Sequence, residues 1–125
     1  MRRIVTALSM AALLAAGASI AVAGSDLSPG SKALEEANAA MHHAMAVEMT
    51  GDVDVDFMRA MIPHHQGAID MARIVLEYGK DPETRKLAEE IVKAQEAEIA
   101  FMNEWLERKA AAGEDNAAGA GHADH

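Results

Sequence analysis

The sequence predicts an all-α protein, and two observations carry that prediction. Apolar side chains recur every three or four residues through most of the 125-residue chain, as one face of a helix requires. Gly51, Gly79 and the pair Asp81-Pro82 divide this pattern into three segments, and none of them alternates polar and apolar residues as a strand would. Because the connections are short, we expect an antiparallel bundle of three long amphipathic helices.

The first 23 residues are predicted to be a secretory signal peptide. Arg2 and Arg3 form a basic start, an apolar run follows from Ile4 to about Val22, and a small-x-small cleavage site ends at Ala23. A membrane-anchoring helix is the competing interpretation, which the Ala-rich run and the cleavage-like site disfavour. We therefore expect a secreted, periplasmic protein that is cleaved after Ala23 and has no stable membrane insertion.

Two helices are predicted to follow a short polar leader at residues 24–30. The first helix is expected at about residues 31–50. An Asp-rich turn comes next, in which Asp54 or Asp56 can cap the second helix. The second helix is predicted at about residues 55–78.

The third helix and a tail complete the chain. Asp81-Pro82 combines an N-cap residue with a proline at the first helical position, which strongly indicates a helix start. The helix is predicted to continue to about Ala112, so that residues 31–112 form one helical domain. Residues 113–125 are low in apolar bulk and rich in Ala, Gly and acidic residues, and we predict a disordered acidic tail.

Charge and composition restrict the function. Loss of Arg2 and Arg3 with the signal peptide leaves nine basic residues against 20 acidic ones, a net charge of −11. Such a surface disfavours nucleic acids and anionic membranes as partners, and it attracts cations. The chain has no cysteine, so disulfides cannot stabilise it and thiolates cannot bind metal. Its soft donors are instead methionine and histidine, with nine and six in the full sequence.

The segment Met61-Ile62-Pro63-His64-His65 places two histidines on the apolar face of the second helix. At about 100° per residue, both histidines lie beside Met61, at spacings of three and four residues. Pro63 removes one backbone hydrogen bond, so we expect a kink that alters how the histidines are aimed. The predicted inward face comprises Phe57, Met58, Met61, His64, His65, Ala68, Ile69, Met71, Ala72, Val75 and Leu76.

The third helix carries Gln95 and Glu98 in the middle of its own apolar stripe, with Met102 one turn beyond Glu98. An unpaired buried carboxylate is costly, so Glu98 needs a partner. A protonated or metal-bound histidine of the second helix is the nearest candidate. The other members of this stripe are Leu87, Ile91, Ala94, Phe101 and Trp105.

A methionine stripe alone is typical of core packing. Met41, Met45 and Met49 recur at four-residue spacing on the first helix, with His42 at the edge, and core packing is the simpler interpretation there. The second helix differs, because its two histidines and three methionines face a stripe that holds an amide, a carboxylate and another thioether. A bound ion would explain why these donors lie on facing surfaces.

Thioether and imidazole donors without thiolate indicate a soft ion. Copper(I) fits best and silver(I) resembles it, whereas zinc usually takes histidine with cysteine or carboxylate. The sequence has no Glu-x-x-His pair of a di-iron bundle, and residues 52–56 lack the glycine and distal glutamate of an EF-hand. It also shows no nucleophile with its base, no phosphate-binding glycine loop and no catalytic carboxylate pair, so we do not expect an enzyme.

The segment DFMRAMIPHHQGAIDMARIVLEYG, followed by LAEEIVKAQEAEIAFMNEWL, resembles a bacterial family first catalogued as a domain of unknown function. Its best-known relatives are the CopM-like periplasmic copper-binding proteins. The resemblance covers about residues 56–106 and implies a ferritin-like helical bundle associated with binding copper(I), in some members silver(I), and with copper tolerance. The positions that match the family's motif are Met61, His64, His65 and Met71, with Gln95, Glu98 and Met102 in the second block.

The sequence therefore predicts a periplasmic protein that binds copper(I), or silver(I), in buffering, transport or tolerance. The predicted ligands are Met61, His64, His65, Met71 and Met102. Glu98 and Gln95 are expected to orient a histidine, and the weaker ligand candidates are Met58, Met41, His42 and Met45. Expected partners are the ion, a copper-delivery or efflux protein, and a second copy that completes a four-helix-like core.

The alternative is a metal-free helical interaction module. In that case the histidines pair with Glu98 as a buried polar network, and the methionine-rich face meets a partner protein. A melting temperature that rises with copper(I) would favour the metal-binding function, because a ligand of the native state must stabilise it.

Overall fold

The computed structural model describes residues 26–120, with side chains described to residue 114. It contains three α-helices: α1 at Pro29–Ala44, α2 at Val53–Tyr78 and α3 at Pro82–Ala120. Residues 26–120 form no strand, which confirms the all-α prediction. Among residues 26–120, none of the helices combines the length and the apolar composition that a membrane span requires. The predicted signal peptide and its cleavage site lie outside the described residues, as do residues 121–125.

Aspartate side chains fix the starts of the two longer helices. The cap of α2 is Asp52 rather than the predicted Asp54 or Asp56, and its Oδ1 accepts the backbone N–H groups of Asp54 at 3.0 Å and Val55 at 3.2 Å. Asp81 stands before α3 and accepts the N–H of Thr84 at 2.7 Å, as the sequence predicts. The hydrogen bond from the Val55 N–H is the main cause that lowers the pKa of Asp52. The hydrogen bond from the Thr84 N–H has the same effect on the pKa of Asp81.

The connection from α1 to α2 is longer than predicted. The sequence predicts a first helix that reaches residue 50, whereas α1 ends at Ala44 with Met45 as its C-cap. The predicted methionine face of the first helix therefore loses Met49, which lies in the connection with 62% of its surface exposed.

A second aspartate explains the early end of α1. Asp56 is predicted as a possible cap, but its carboxylate instead accepts the N–H and hydroxyl of Thr50, both at 2.7 Å, and the N–H of Gly51 at 3.1 Å. The bond from the Thr50 N–H is the main cause that lowers the pKa of Asp56. Gly51 has a φ of 93°, which favours glycine. These contacts hold the connection in a turn that a continued α1 could not form.

The third helix extends beyond its predicted end at Ala112 and reaches Ala120, through part of the segment predicted to be disordered. Residues 110–120 contain no proline and are rich in alanine, which has the highest helix propensity. The helix of 39 residues is about 58 Å long, against about 39 Å for the 26 residues of α2. Its C-terminal part therefore projects past α2.

The helices pack antiparallel, with α2 in the centre. In the seam of α1 and α2, Gly30 lies against Tyr78 and Gly67 lies against Met41, so the residue numbers run in opposite directions. The seam of α2 and α3 shows the same order. Asp52 pairs with Lys109 at 3.4 Å, His65 pairs with Glu98, and the Arg85 guanidinium donates to the Leu76 carbonyl at 2.7 Å. Within the described residues, α1 and α3 each pack on α2 and not on each other.

The buried core is small for three helices. The buried apolar side chains of the described residues are Ile69, Ala72, Ala88 and Met102, of which Ile69 is fully buried. Three aromatic or aliphatic side chains that the sequence places on inward faces are more than half exposed: Phe57, Leu87 and Phe101. The inward face of α2 is wider than the strips that α1 and α3 cover, so part of it remains open to solvent.

Candidate metal centre

One pocket between α2 and α3 collects sulfur-bearing side chains from both helices. Within α2, Met58, Met61 and His65 follow one another at spacings of three and four residues, so they share one surface of the helix. From α3, Met102 enters with only 5% of its surface exposed, one turn after Glu98. We call this the Met–His pocket; it is lined by Phe57, Met58, Met61, His65, Glu98, Phe101 and Met102.

A short hydrogen bond orients the imidazole of His65. Its Nε2 lies 2.5 Å from Oε2 of Glu98, across the seam of α2 and α3. The His65 side chain is 14% exposed, whereas that of Glu98 is 61% exposed. Because an ionised carboxylate only accepts, the proton of this bond belongs to Nε2, and in the neutral ring the lone pair is then on Nδ1.

The other ring nitrogen of His65 is buried without a partner. Neither Nδ1 of His65 nor Oε1 of Gln95 has a hydrogen-bond partner among the described residues. Roughly 90% or more of buried polar groups are paired, so an unpaired lone pair calls for an explanation. Metal-binding histidines commonly donate one ring N–H to a carboxylate while the other nitrogen faces the ion. His65 matches this pattern, because Nε2 donates to the Glu98 carboxylate and Nδ1 has no partner in the part of the chain that the structure describes.

The donor set of the Met–His pocket is soft. Three thioethers, from Met58, Met61 and Met102, accompany one imidazole. Among the described residues, no three side chains of the His, Cys, Asp and Glu types come together as a possible metal site. Thioether and imidazole donors suit copper(I) and silver(I) rather than hard divalent cations.

Two of the five predicted ligands lie outside this pocket. His64 is exposed, and its ring centroid is 6.0 Å from that of His65 with the planes tilted by 59°. Met71 is half-buried on α2 and lines a separate groove near Leu34 of α1. The structure therefore brings Met61, His65 and Met102 together, and it leaves His64 and Met71 outside.

The weaker ligand candidates of the first helix also lie elsewhere. Met41 packs against Gly67 in the seam of α1 and α2. Met45 is the C-cap of α1, and His42 is exposed on its last turn. None of the three lines the Met–His pocket.

Sequence reasoning undervalued two kinds of pocket residue. Met58 is predicted only as a weak candidate, yet it lines the pocket beside Met61. Phe57 and Phe101 form apolar walls although both are more than half exposed. The available signal was the spacing: Met58 precedes Met61 by three residues, and Phe101 follows Glu98 by three.

Fold and pocket together define a small all-α bundle protein with a methionine- and histidine-lined pocket. The chain belongs to the family described as Domain of unknown function (DUF305), whose model matches residues 54–125 and so includes every residue of the pocket. An uncharacterized protein of Acanthamoeba polyphaga mimivirus is similar to this chain, with 38% identity over 56 residues. The match covers 45% of this chain and 37% of that protein, so the chain spans little more than a third of the relative's length.

Proposed function

We propose that this protein binds copper(I), with silver(I) as its chemical analogue, in the Met–His pocket and serves in buffering, transport or tolerance of the ion. The observation that carries the proposal is the state of His65. Its Nε2 is held by Glu98, while its buried Nδ1 has no partner within the described residues. A bound cation would satisfy that lone pair, which otherwise costs free energy in a buried position.

The proposed ligands are Nδ1 of His65 and the sulfur atoms of Met58, Met61 and Met102. All four side chains line the same pocket, and Met102 is buried. Glu98 acts through His65, because a carboxylate on the far nitrogen fixes the tautomer and makes the imidazole a better ligand. Phe57 and Phe101 give the pocket apolar walls.

Resemblance and charge support the same proposal. The motif MIPHHQGAIDMA, which carries the likeness to CopM-like periplasmic copper-binding proteins, includes Met61 and His65. A predicted signal peptide is the basis for proposing a periplasmic location. The net charge of −11 that follows its removal raises the local concentration of cations. A copper-delivery or efflux protein is the proposed exchange partner.

An anaerobic competition titration with copper(I), on the protein that begins at Gly24, tests this assignment. Replacement of His65 by Ala or of Met61 by Leu should weaken binding by at least about tenfold, equivalent to about 1.4 kcal/mol. His64→Ala and Met71→Leu are matched controls, because they make the same changes outside the pocket, and both should retain the affinity. Unchanged affinity in His65→Ala would refute the site.

One observation also suits the alternative, a metal-free interaction module. The bond between His65 and Glu98 joins α2 directly to α3. The two functions differ in thermal melting, since a ligand of the native state raises the melting temperature by an amount that grows with the logarithm of its concentration relative to its dissociation constant. A melting temperature that does not respond to excess copper(I) would favour the module.

A further inference from the structure

A long apolar groove runs along α2 between the two outer helices. Its floor is formed by Ala68, Met71 and Val75 of α2, and Leu87 and Ile91 of α3 form one wall. We call this the open groove; its full lining is Leu34, Ala68, Met71, Ala72, Val75, Thr84, Leu87, Ala88 and Ile91. The helical periodicity of α2 continues the same open strip toward Phe57 at the Met–His pocket.

The single chain does not bury enough of this apolar surface. Among residues 26–114, two of the four buried apolar side chains are alanines, and Leu87 remains 56% exposed on the wall of the groove. Phe57 and Phe101, at the far end of the strip, are 57% and 55% exposed. Small domains with so little core usually need a further stabilising element, and oligomerisation is one of the common solutions.

Charge restricts what can cover the groove. The chain without its predicted signal peptide carries 20 acidic against nine basic residues, so most approaches between two copies are repulsive. The lining of the open groove contains no charged residue. Groove-to-groove contact is therefore the approach in which two copies gain apolar burial with the least repulsion.

The size of the strip also suits a second copy. The face that all three helices share runs along α1, whose 16 residues are about 24 Å long at ~1.5 Å per residue, and three helices of ~10 Å diameter make it about 30 Å wide. Such a face offers roughly 700 Å², close to the ~800 Å² that each partner contributes to a standard protein interface.

We infer that two copies of this chain pair through their open grooves as a two-fold dimer, in which each copy covers the other's Leu87, Met71 and Val75. The contact is isologous, since the same surface serves on both sides. Because the groove is apolar, the pairing needs no metal. It also brings more apolar surface toward the exposed phenylalanines of the Met–His pocket.

Sedimentation velocity on the chain that begins at Gly24, with metals removed by chelators, tests the pairing. The unmodified protein should sediment with the mass of two copies from low to high micromolar concentration. Leu87→Glu should weaken association at least tenfold, because it places a charge inside the dimer. Since Leu87 is already largely exposed in one copy, this variant should keep its helical circular dichroism.

Ala100→Glu is the matched control. It adds the same charge to α3 at another exposed position, about 140° around the helix from Leu87, and should leave association unchanged. A single-copy mass at every concentration would contradict the pairing and leave the groove to a different protein or to another segment of this chain. Equal association of Leu87→Glu and the unmodified protein would contradict it as well.

Discussion

His64 and His65 are adjacent in the chain but have different surroundings. Successive residues of a helix point about 100° apart, so only one of two neighbours can face a given partner helix directly. His65 lies on the side that α3 covers and is 14% exposed, whereas His64 lies beside it and is exposed. The packing of α3, rather than the His-His pair itself, gives His65 its carboxylate partner.

Glu98 can be tested without changing the shape of the pocket. Glu98→Gln keeps an oxygen that accepts the His65 N–H, but it removes the charge that strengthens this bond. Loss of such a partner typically costs about 10–100-fold in metal affinity, and we expect a decrease of this size for copper(I) in the anaerobic titration.

Glu96→Gln is the control for this prediction. Glu96 also lies on α3 and pairs across to α2, with Arg73 at 3.0 Å, but both side chains of that pair are more than half exposed. Its replacement should leave copper(I) affinity within error of the unmodified protein. If the two variants bind copper(I) equally well, Glu98 does not act through His65.

At the scale of the helices, the sequence correctly predicts the end of α2 at Tyr78 and the start of α3 at Pro82, whereas it misplaces the ends of α1 and α3. Asp81 marks the start of α3 from sequence because a cap contacts backbone only three residues away. The end of α1 depends on Asp56, which holds the N–H of Thr50 six residues earlier. Neither a helical wheel nor a helix-propensity scale predicts such a contact between a side chain and a backbone group outside its helix. Gly113 and the acidic residues after it predict an end of α3 at about Ala112, but the helix propensity of the neighbouring alanines favours continuation to Ala120.

Close packing of α1 on α2 depends on glycine at position 67. A Cβ added there would lie 2.6 Å from both Cβ and Sδ of Met41, too close without movement of α1. Gly67→Ala should therefore lower the free energy of unfolding by about 1–3 kcal/mol, as overpacked cores do. Urea unfolding followed by circular dichroism measures the change.

Gly113→Ala is the matched substitution within α3. An added Cβ at Gly113 meets nothing within 4 Å, so only the helix propensity changes. Alanine should stabilise this position by about 0.5–1 kcal/mol, in the direction opposite to Gly67→Ala. Stabilisation by both substitutions would show that α1 does not pack on α2 at Gly67.

For the whole molecule, sequence predicts the composition of the site better than its geometry. The apolar periodicity of the chain correctly predicts three α-helices. The stripes of α2 and α3 also place Met61, His65, Glu98 and Met102 on facing surfaces. A helical wheel does not show which part of a broad apolar arc is covered by neighbouring helices and which part stays open to solvent. Met71 shares that arc but lies in the open groove, because α1 and α3 do not meet over α2.

The two proposals concern different parts of one apolar strip. The Met–His pocket occupies the end near Phe57, and the open groove occupies the end near Val75. Pairing is expected without metal, and copper(I) binding is expected to need only one copy's ligands. Leu87→Glu should therefore change the sedimenting mass while His65→Ala does not, and His65→Ala should change copper(I) affinity.

In the proposed site, Nδ1 of His65 binds the ion while Nε2 stays bonded to Glu98. Long-range ¹H–¹⁵N correlation spectra, recorded before and after one equivalent of silver(I) as a redox-inert analogue of copper(I), test it directly. We predict that the Nδ1 resonance of His65 moves to a metal-bound position, that Nε2 remains the protonated nitrogen, and that His64 is unaffected. Unchanged His65 nitrogens, or coordination through Nε2 or His64, would contradict the proposed coordination.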